Sequence, residues 1–131
     1  MNDAEVIRII RAAIPEAIVV YRFGSTVGGT MHAASDVDLA VLAPQPFDPV
    51  RRFDLQEHLA CVVRRNVDLV DLRAASTVMR MQVISKGRCL FSAVPREQER
   101  FEDLVFSSYA RLNEERRLVM DDIRRRGTVY G

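Results

Sequence analysis

The strongest constraint on the fold is the alternation of short apolar stretches with amphipathic helical stretches along the chain. Four apolar stretches rich in β-branched residues predict strands, at residues 17–24, 35–43, 66–72 and 88–93. Four other stretches repeat apolar residues with helical spacing, at residues 3–13, 49–65, 74–85 and 95–126. This order predicts an α/β fold with one sheet, and a chain of 131 residues suits one domain over residues 1–131.

Two of the helical stretches allow inward faces to be predicted. In the helix at 49–65, which Asp48 caps, we expect an inward face formed by Val50, Phe53, Leu55, Leu59 and Val62 or Val63. In the last helix we expect an inward stripe of Phe101, Leu104, Val105, Tyr109 and Leu112.

The last helix is too long for so small a domain, since residues 97–126 extend about 45 Å at 1.5 Å per residue. Its outer part carries a thin apolar line between dense charges, formed by Leu118, Val119, Met120 and Ile123. We interpret this part as a partner-binding arm, with a dimer contact or a solvated helix end as alternatives.

Composition excludes several classes of protein. The net charge of +1 argues against broad binding of nucleic acid. No stretch approaches the ~20 apolar residues of a membrane span, and the N-terminal stretch does not read as a signal peptide. Two cysteines, Cys61 and Cys89, are too few for a disulfide framework, so we expect a cytoplasmic protein in which both are reduced.

Two aspartates at the start of the second predicted strand point to a metal site. Asp36 and Asp38 share a face of the strand, with Cα atoms roughly 6.5–7 Å apart, while Val37 and Leu39 face the core. Like charges this close repel each other unless a cation lies between them. Mg²⁺ favours one or two carboxylates together with phosphate oxygens, and two such ions ~3.5–4 Å apart can clamp a displacement at phosphorus.

A Gly-Ser pair at the end of the first predicted strand points to a phosphate site. Gly24 permits a sharp turn, and a helix beginning there would offer free N–H groups to an anion, to which the Ser25 hydroxyl adds a donor. Alone, a Gly-Ser pair is a common turn, and two acids could be a solvated strand edge. Together they indicate phosphoryl or nucleotidyl transfer.

These four residues match a family signature, Gly-Ser followed after ten residues by Asp-x-Asp, at Gly24, Ser25, Asp36 and Asp38. The chain resembles the minimal nucleotidyltransferases of the DNA polymerase-β superfamily. The resemblance implies a nucleotidyltransferase fold with a short mixed sheet flanked by helices. It also implies two Mg²⁺ ions, with Mn²⁺ as an alternative, bound by the Asp pair and a third acid, and ATP as substrate.

The third acid should come from the stretch 66–72, which contains Asp68 and Asp71. These two residues are an odd number apart, so on a regular strand they face opposite sides and only one can join the site. We favour Asp68, which matches the family's position, as a metal ligand that also helps to deprotonate the attacking hydroxyl. Asp71 lies nearer the strand end, where it could be solvated or paired with Arg73.

The chain departs from the family at one point. Family members often carry an arginine shortly after the Gly-Ser pair, whereas this chain has Gly28 and Gly29 in that region. The charge of a triphosphate must then be met by backbone groups, by metal or by a more distant cation.

The chain also resembles the antitoxins of HEPN/MNT toxin–antitoxin modules. That resemblance implies transfer of AMP from ATP to a hydroxyl, in particular a tyrosine hydroxyl, of an all-helical HEPN ribonuclease toxin. We expect the acceptor to come from another protein, because the chain has no second domain. A catalytically idle module that neutralises its partner sterically, and a transferase for a small molecule or an RNA end, stay open as alternatives, as does a homo-oligomer.

Overall fold

The computed structural model describes residues 2–24 and 36–127. Within these residues the chain forms four helices and four strands. In chain order they are α1 (Asp3–Ala13), β1 (Val19–Phe23), β2 (Val37–Leu42), α2 (Pro49–Val63), β3 (Val67–Asp71), α3 (Thr77–Lys86), β4 (Arg88–Ser92) and α4 (Pro95–Arg126). The predicted α/β fold with a long C-terminal helix is confirmed, while a short helix predicted after Ser25 lies outside the described residues.

The four strands form one mixed sheet in the order β3-β2-β1-β4. Strand β1 pairs antiparallel with β2 and with β4, whereas β2 and β3 are parallel and are joined by the crossover through α2. The end of β1 therefore lies at the same edge of the sheet as the starts of β2, β3 and β4. We call this edge the Gly24 edge, after the residue that follows β1.

Helices cover both faces of the sheet. Helices α1 and α2 pack on one face, where the buried residues include Val6, Ile10, Val20, Val37, Leu39, Val41, Leu55 and Leu59. Helices α3 and α4 pack on the other face, with Val19, Tyr21, Ala40, Leu42, Val83, Phe101 and Val105. Side chains alternate along β2 between the two cores, which confirms the inward orientation predicted for Val37 and Leu39.

Three residues predicted to face inward are exposed instead. Val50 and Phe53 of α2 are 66% and 53% exposed, and Leu104 of α4 is 54% exposed. At 3.6 residues per turn, Val50 and Phe53 lie nearly opposite Leu55, whose side of α2 packs on the sheet. Leu104 flanks the buried line of α4. The helical pattern identified the apolar residues but not which of them the sheet covers.

The helix ends follow ordinary capping chemistry. Asp48 caps α2 as predicted, accepting a hydrogen bond of 2.8 Å from the Val50 amide. Helix α3 begins later than predicted, at Thr77, where Ser76 accepts a hydrogen bond of 3.1 Å from the Met79 amide. No helix in the described part of the chain has the length and apolar character needed to cross a membrane.

Candidate active site

Two acidic side chains meet at the Gly24 edge. Asp38 of β2 is directly opposite Asp68 of β3 in the parallel register, so their Cα atoms lie about 4.8 Å apart. Both belong to the sheet face that α3 and α4 cover, because Asp38 alternates with the buried residues Ala40 and Leu42. Asp36 directly precedes β2 and is exposed. The three predicted metal ligands thus lie on two neighbouring strands or directly before one of them, at one edge of the sheet.

The charges of these acids act on one another. Burial of the half-buried Asp38 carboxyl raises its pKa above the ordinary value, and the negative charges of Asp68 and Asp36 raise it further. The carboxyls of Asp68 and Asp36 therefore lie within electrostatic range of the Asp38 carboxyl. A cation placed among them would remove this repulsion and stabilise the ionised form of Asp38.

Gly24 packs directly against the Asp38 carboxyl. Its φ is +85°, in the region that favours glycine. A Cβ at this position would collide with Asp38 Oδ2 and would lie 2.9 Å from Cγ of the same side chain. Only glycine permits both this turn and this contact, so the two halves of the Gly-Ser and Asp-x-Asp signature touch. Ser25 lies outside the described residues.

Asp71 faces the opposite side of the sheet and has a structural role. It is buried, and its carboxylate accepts hydrogen bonds from the backbone amides of Phe47, at 2.9 Å, and Arg73, at 3.0 Å. The expectation that Asp71 could be solvated is therefore wrong, and its pairing with Arg73 is through the backbone. The Arg73 side chain instead donates to the Ala43 carbonyl oxygen, at 2.7 Å. Asp71 ties the loop after β2 to the turn after β3.

The acidic cluster does not form a complete protein cage for a metal. Among residues 2–24 and 36–127, no group of three or more His, Cys, Asp or Glu side chains is arranged to hold a metal ion. Mg²⁺ is usually bound through one or two carboxylates together with substrate phosphates and water. Asp38 and Asp68 supply such a pair of hard oxygen donors.

A polar cluster that the sequence did not reveal joins α4 to the same face of the sheet. Tyr21 of β1 is buried, and its hydroxyl donates a hydrogen bond of 2.6 Å to Glu102 Oε2. Gln98 donates to the same carboxylate at 3.1 Å. Burial and the contact with Glu102 raise the pKa of Tyr21 well above its ordinary value. The one available signal was the placement of Gln98 and Glu102 four residues apart, beside the buried Phe101.

The fold and the arrangement of the acids define a nucleotidyltransferase. Residues 5–96 match the family model described as polymerase beta, nucleotidyltransferase, and the chain belongs to that family. The family resemblance inferred from the Gly-Ser and Asp-x-Asp signature is confirmed.

The chain is also similar to an individual protein and to solved structures. The chain is 39% identical over 123 residues to the protein adenylyltransferase MntA of Shewanella oneidensis, covering 94% of this chain and 88% of that protein. A crystal structure of a toxin–antitoxin with AMP-PNP matches with a TM-score of 0.86 at 39% identity, covering 94% of this chain and 98% of the matched one. A structure of a tri-AMPylated Shewanella oneidensis HEPN toxin in complex with MNT antitoxin matches with a TM-score of 0.78 at 36% identity, covering 92% and 94%.

Proposed function

We propose that the protein is a Mg²⁺-dependent adenylyltransferase that transfers AMP from ATP to a hydroxyl of a HEPN toxin and thereby acts as its antitoxin. The observation that carries this proposal is the in-register pair Asp38 and Asp68, with Gly24 packed against the Asp38 carboxyl. The relatives support it, since MntA is a protein adenylyltransferase and a matching antitoxin was solved with an AMPylated toxin. The site of action we propose is the cytoplasm, which suits the free and exposed Cys61 and Cys89.

The residues present fit the metal and the nucleotide. Asp36, Asp38 and Asp68, together with phosphate oxygens and water, would hold two Mg²⁺ ions, with Mn²⁺ as an alternative, and Gly24 with Ser25 would receive the triphosphate. Bound Mg²⁺ would supply neutralisation of the phosphate charge. Gly24 brings backbone close to the carboxyls, so phosphate oxygens can approach the metal ligands without a side chain in the way.

The proposed reaction is a nucleotidyl transfer at the α-phosphorus of ATP. The acceptor oxygen forms a bond to the α-phosphorus of ATP, and the bond from that phosphorus to the oxygen bridging to the β-phosphate breaks, so pyrophosphate leaves. The hydroxyl proton passes to the carboxylate of Asp68. This residue suits the role because it is exposed on the outer strand β3, where an acceptor from solution can reach it, whereas Asp38 is half-buried.

A docked partner would present the acceptor, for which we propose a tyrosine hydroxyl. The outer part of α4 suits such docking, because Leu118, Val119 and Met120 are 58%, 59% and 49% exposed. Ion pairs one helical turn apart, such as Arg117–Glu114 at 2.6 Å, support this outer helix. Docking would orient the acceptor hydroxyl towards the nucleotide. We propose an all-helical HEPN protein as the partner on this surface, with a second copy of the chain as the competing occupant.

Labelled ATP tests the proposed reaction. With Mg²⁺ and the partner toxin, ATP labelled at the α-phosphate should label the toxin, whereas ATP labelled at the γ-phosphate should not. Label from the γ-phosphate would mean phosphoryl transfer and would contradict the proposal. Absence of both labels, with the toxin still neutralised, would favour steric neutralisation by an idle module. Size-exclusion chromatography with light scattering would show whether the free protein self-associates.

A further inference from the structure

We propose that Lys86 binds the β- and γ-phosphates of the nucleoside triphosphate and supplies the cation that this chain lacks beside its Gly-Ser pair. The inference rests on the proposed function, since it assigns a further residue to the same nucleotide. In the sequence that follows the Gly-Ser pair, this chain has Gly28 and Gly29 in the region where family members often carry an arginine. The cation must then come from another part of the Gly24 edge.

The connection between α3 and β4 places Lys86 at this edge. Helix α3 ends at Lys86, and Gly87 leads into β4. Gly87 packs on the end of β1, because a Cβ there would lie 3.1 Å from the Arg22 carbonyl oxygen and 3.3 Å from Phe23 Cβ. Phe23 adjoins Gly24, which touches the Asp38 carboxyl. Lys86 therefore directly precedes the residue that packs on the end of β1, and this strand end leads to Gly24 and the proposed phosphate site.

Lys86 also belongs to a helix on the face of the sheet that carries the acids. Helix α3 packs on the face that carries Asp38 and Asp68, and its residue Val83 is fully buried there. Lys86 follows Val83 by three residues, so it lies on a neighbouring flank of the helix, about one turn closer to the Gly24 edge. An exposed side chain at this place can extend beyond the edge towards a bound triphosphate.

The neighbouring cations have other partners or lie elsewhere. Arg88 and Arg22 both pair with Asp3, at 3.0 and 3.8 Å. Arg64 follows α2, which packs on the opposite face of the sheet. Lys86 takes part in no ion pair within residues 2–24 and 36–127.

The residue type supports the same role. Lys86 is the only lysine among 19 lysine and arginine residues in the chain. An ammonium group on a flexible stem can follow phosphates as a point charge, whereas arginine offers a planar fork. A cation in the last turn of a helix also favours the helix dipole without any ligand. The experiment must therefore distinguish binding of the triphosphate from support of the helix.

Calorimetric titration of the whole chain with AMP-PNP and Mg²⁺ makes that distinction. Lys86→Met should weaken AMP-PNP binding roughly 10- to 100-fold, as expected for loss of a charged hydrogen bond, and Lys86→Arg should recover most of the affinity. AMP lacks the β- and γ-phosphates, so its affinity, measured by competition, should change less than about twofold on the same reasoning. The control is Arg96→Met, which removes an exposed cation from the first turn of α4, at the opposite edge of the sheet.

Each outcome separates this inference from the proposed function. If wild type binds AMP-PNP and Lys86→Met binds it equally well, the role of Lys86 is refuted and the proposed function stands. An equal loss of affinity for AMP-PNP and AMP would also refute it, because the effect would not arise at the outer phosphates. If wild type binds no AMP-PNP in the presence of Mg²⁺, the proposed function itself fails.

Discussion

Replacing Asp38 with asparagine should stabilise the fold while it abolishes transfer. The Asp38 carboxyl is half-buried beside Asp68 and near Asp36, and all three effects raise its pKa. For two charges at the strand spacing of about 5 Å, the repulsion is about 0.8 kcal/mol in water and about 3 kcal/mol at an effective dielectric constant of 20. The site is half open to solvent, so we expect a gain of about 1 kcal/mol, or about 3 °C in Tm for a domain of this size.

The stability gained by Asp38→Asn should depend on pH in a direction that can be measured. Because the pKa of Asp38 is higher in the folded protein than in the unfolded chain, folding favours the protonated carboxyl. That contribution is fully present below the unfolded pKa of about 3.9 and is lost as the pH rises through the folded pKa. The advantage of Asp38→Asn over wild type should therefore be small in acid and should grow towards pH ~7.

Thermal unfolding in EDTA, followed by circular dichroism across this pH range, measures the effect. Adding Mg²⁺ with AMP-PNP should then stabilise wild type more than Asp38→Asn, because only wild type keeps all the proposed metal ligands. A variant less stable than wild type at neutral pH in EDTA would refute the repulsion between the acids. A variant that transfers AMP at the wild-type rate would refute the role of Asp38 as a metal ligand.

Three further changes test other parts of the site and of α4. Asp68→Asn should reduce transfer as severely as Asp38→Asn. Asp71→Asn should instead spare the activity of folded molecules and lower the free energy of unfolding by about 1–3 kcal/mol, because one backbone amide loses its acceptor. The reverse order of damage in transfer assays would contradict this. Gly24→Ala should lower the free energy of unfolding in urea by at least ~1–2 kcal/mol and abolish nucleotide binding. The Cβ of the new alanine would collide with the Asp38 carboxyl, and the backbone there has a positive φ. A stable variant that binds nucleotide would refute this contact. Truncation after Arg117 should leave a folded domain that binds metal but should weaken partner binding in a calorimetric titration, and unchanged affinity would identify the removed segment as a solvated helix end.

Much of the fold could be predicted because local signals agree with the tertiary structure. Asn2 caps α1, Pro95 begins α4 and Gly127 follows it at a φ of +72°, as their types favour. Strand alternation also predicted that Asp68 and Asp71 face opposite sides, as they do. These features depend on a few neighbouring residues, so the sequence alone can reveal them.

Features that depend on distant partners could not be predicted in the same way. The exposure of Val50 and Phe53 follows from how α2 lies on the sheet, which helical spacing does not determine. The hydrogen bond between Tyr21 and Glu102 joins residues 81 positions apart. The register that places Asp38 opposite Asp68 required a parallel pairing of β2 and β3 across the α2 crossover.

Intact-mass spectrometry of the partner tests the central claim most directly. The protein, its helical toxin partner, ATP and Mg²⁺ would be incubated together, with Asp36→Asn as the control for the carboxylate site. We predict that the toxin gains the mass of one AMP, or of a few, on a tyrosine hydroxyl, and that the Asp36→Asn reaction leaves its mass unchanged. A toxin that is neutralised in cells yet never gains the mass of AMP would contradict adenylyl transfer and would favour neutralisation by binding alone.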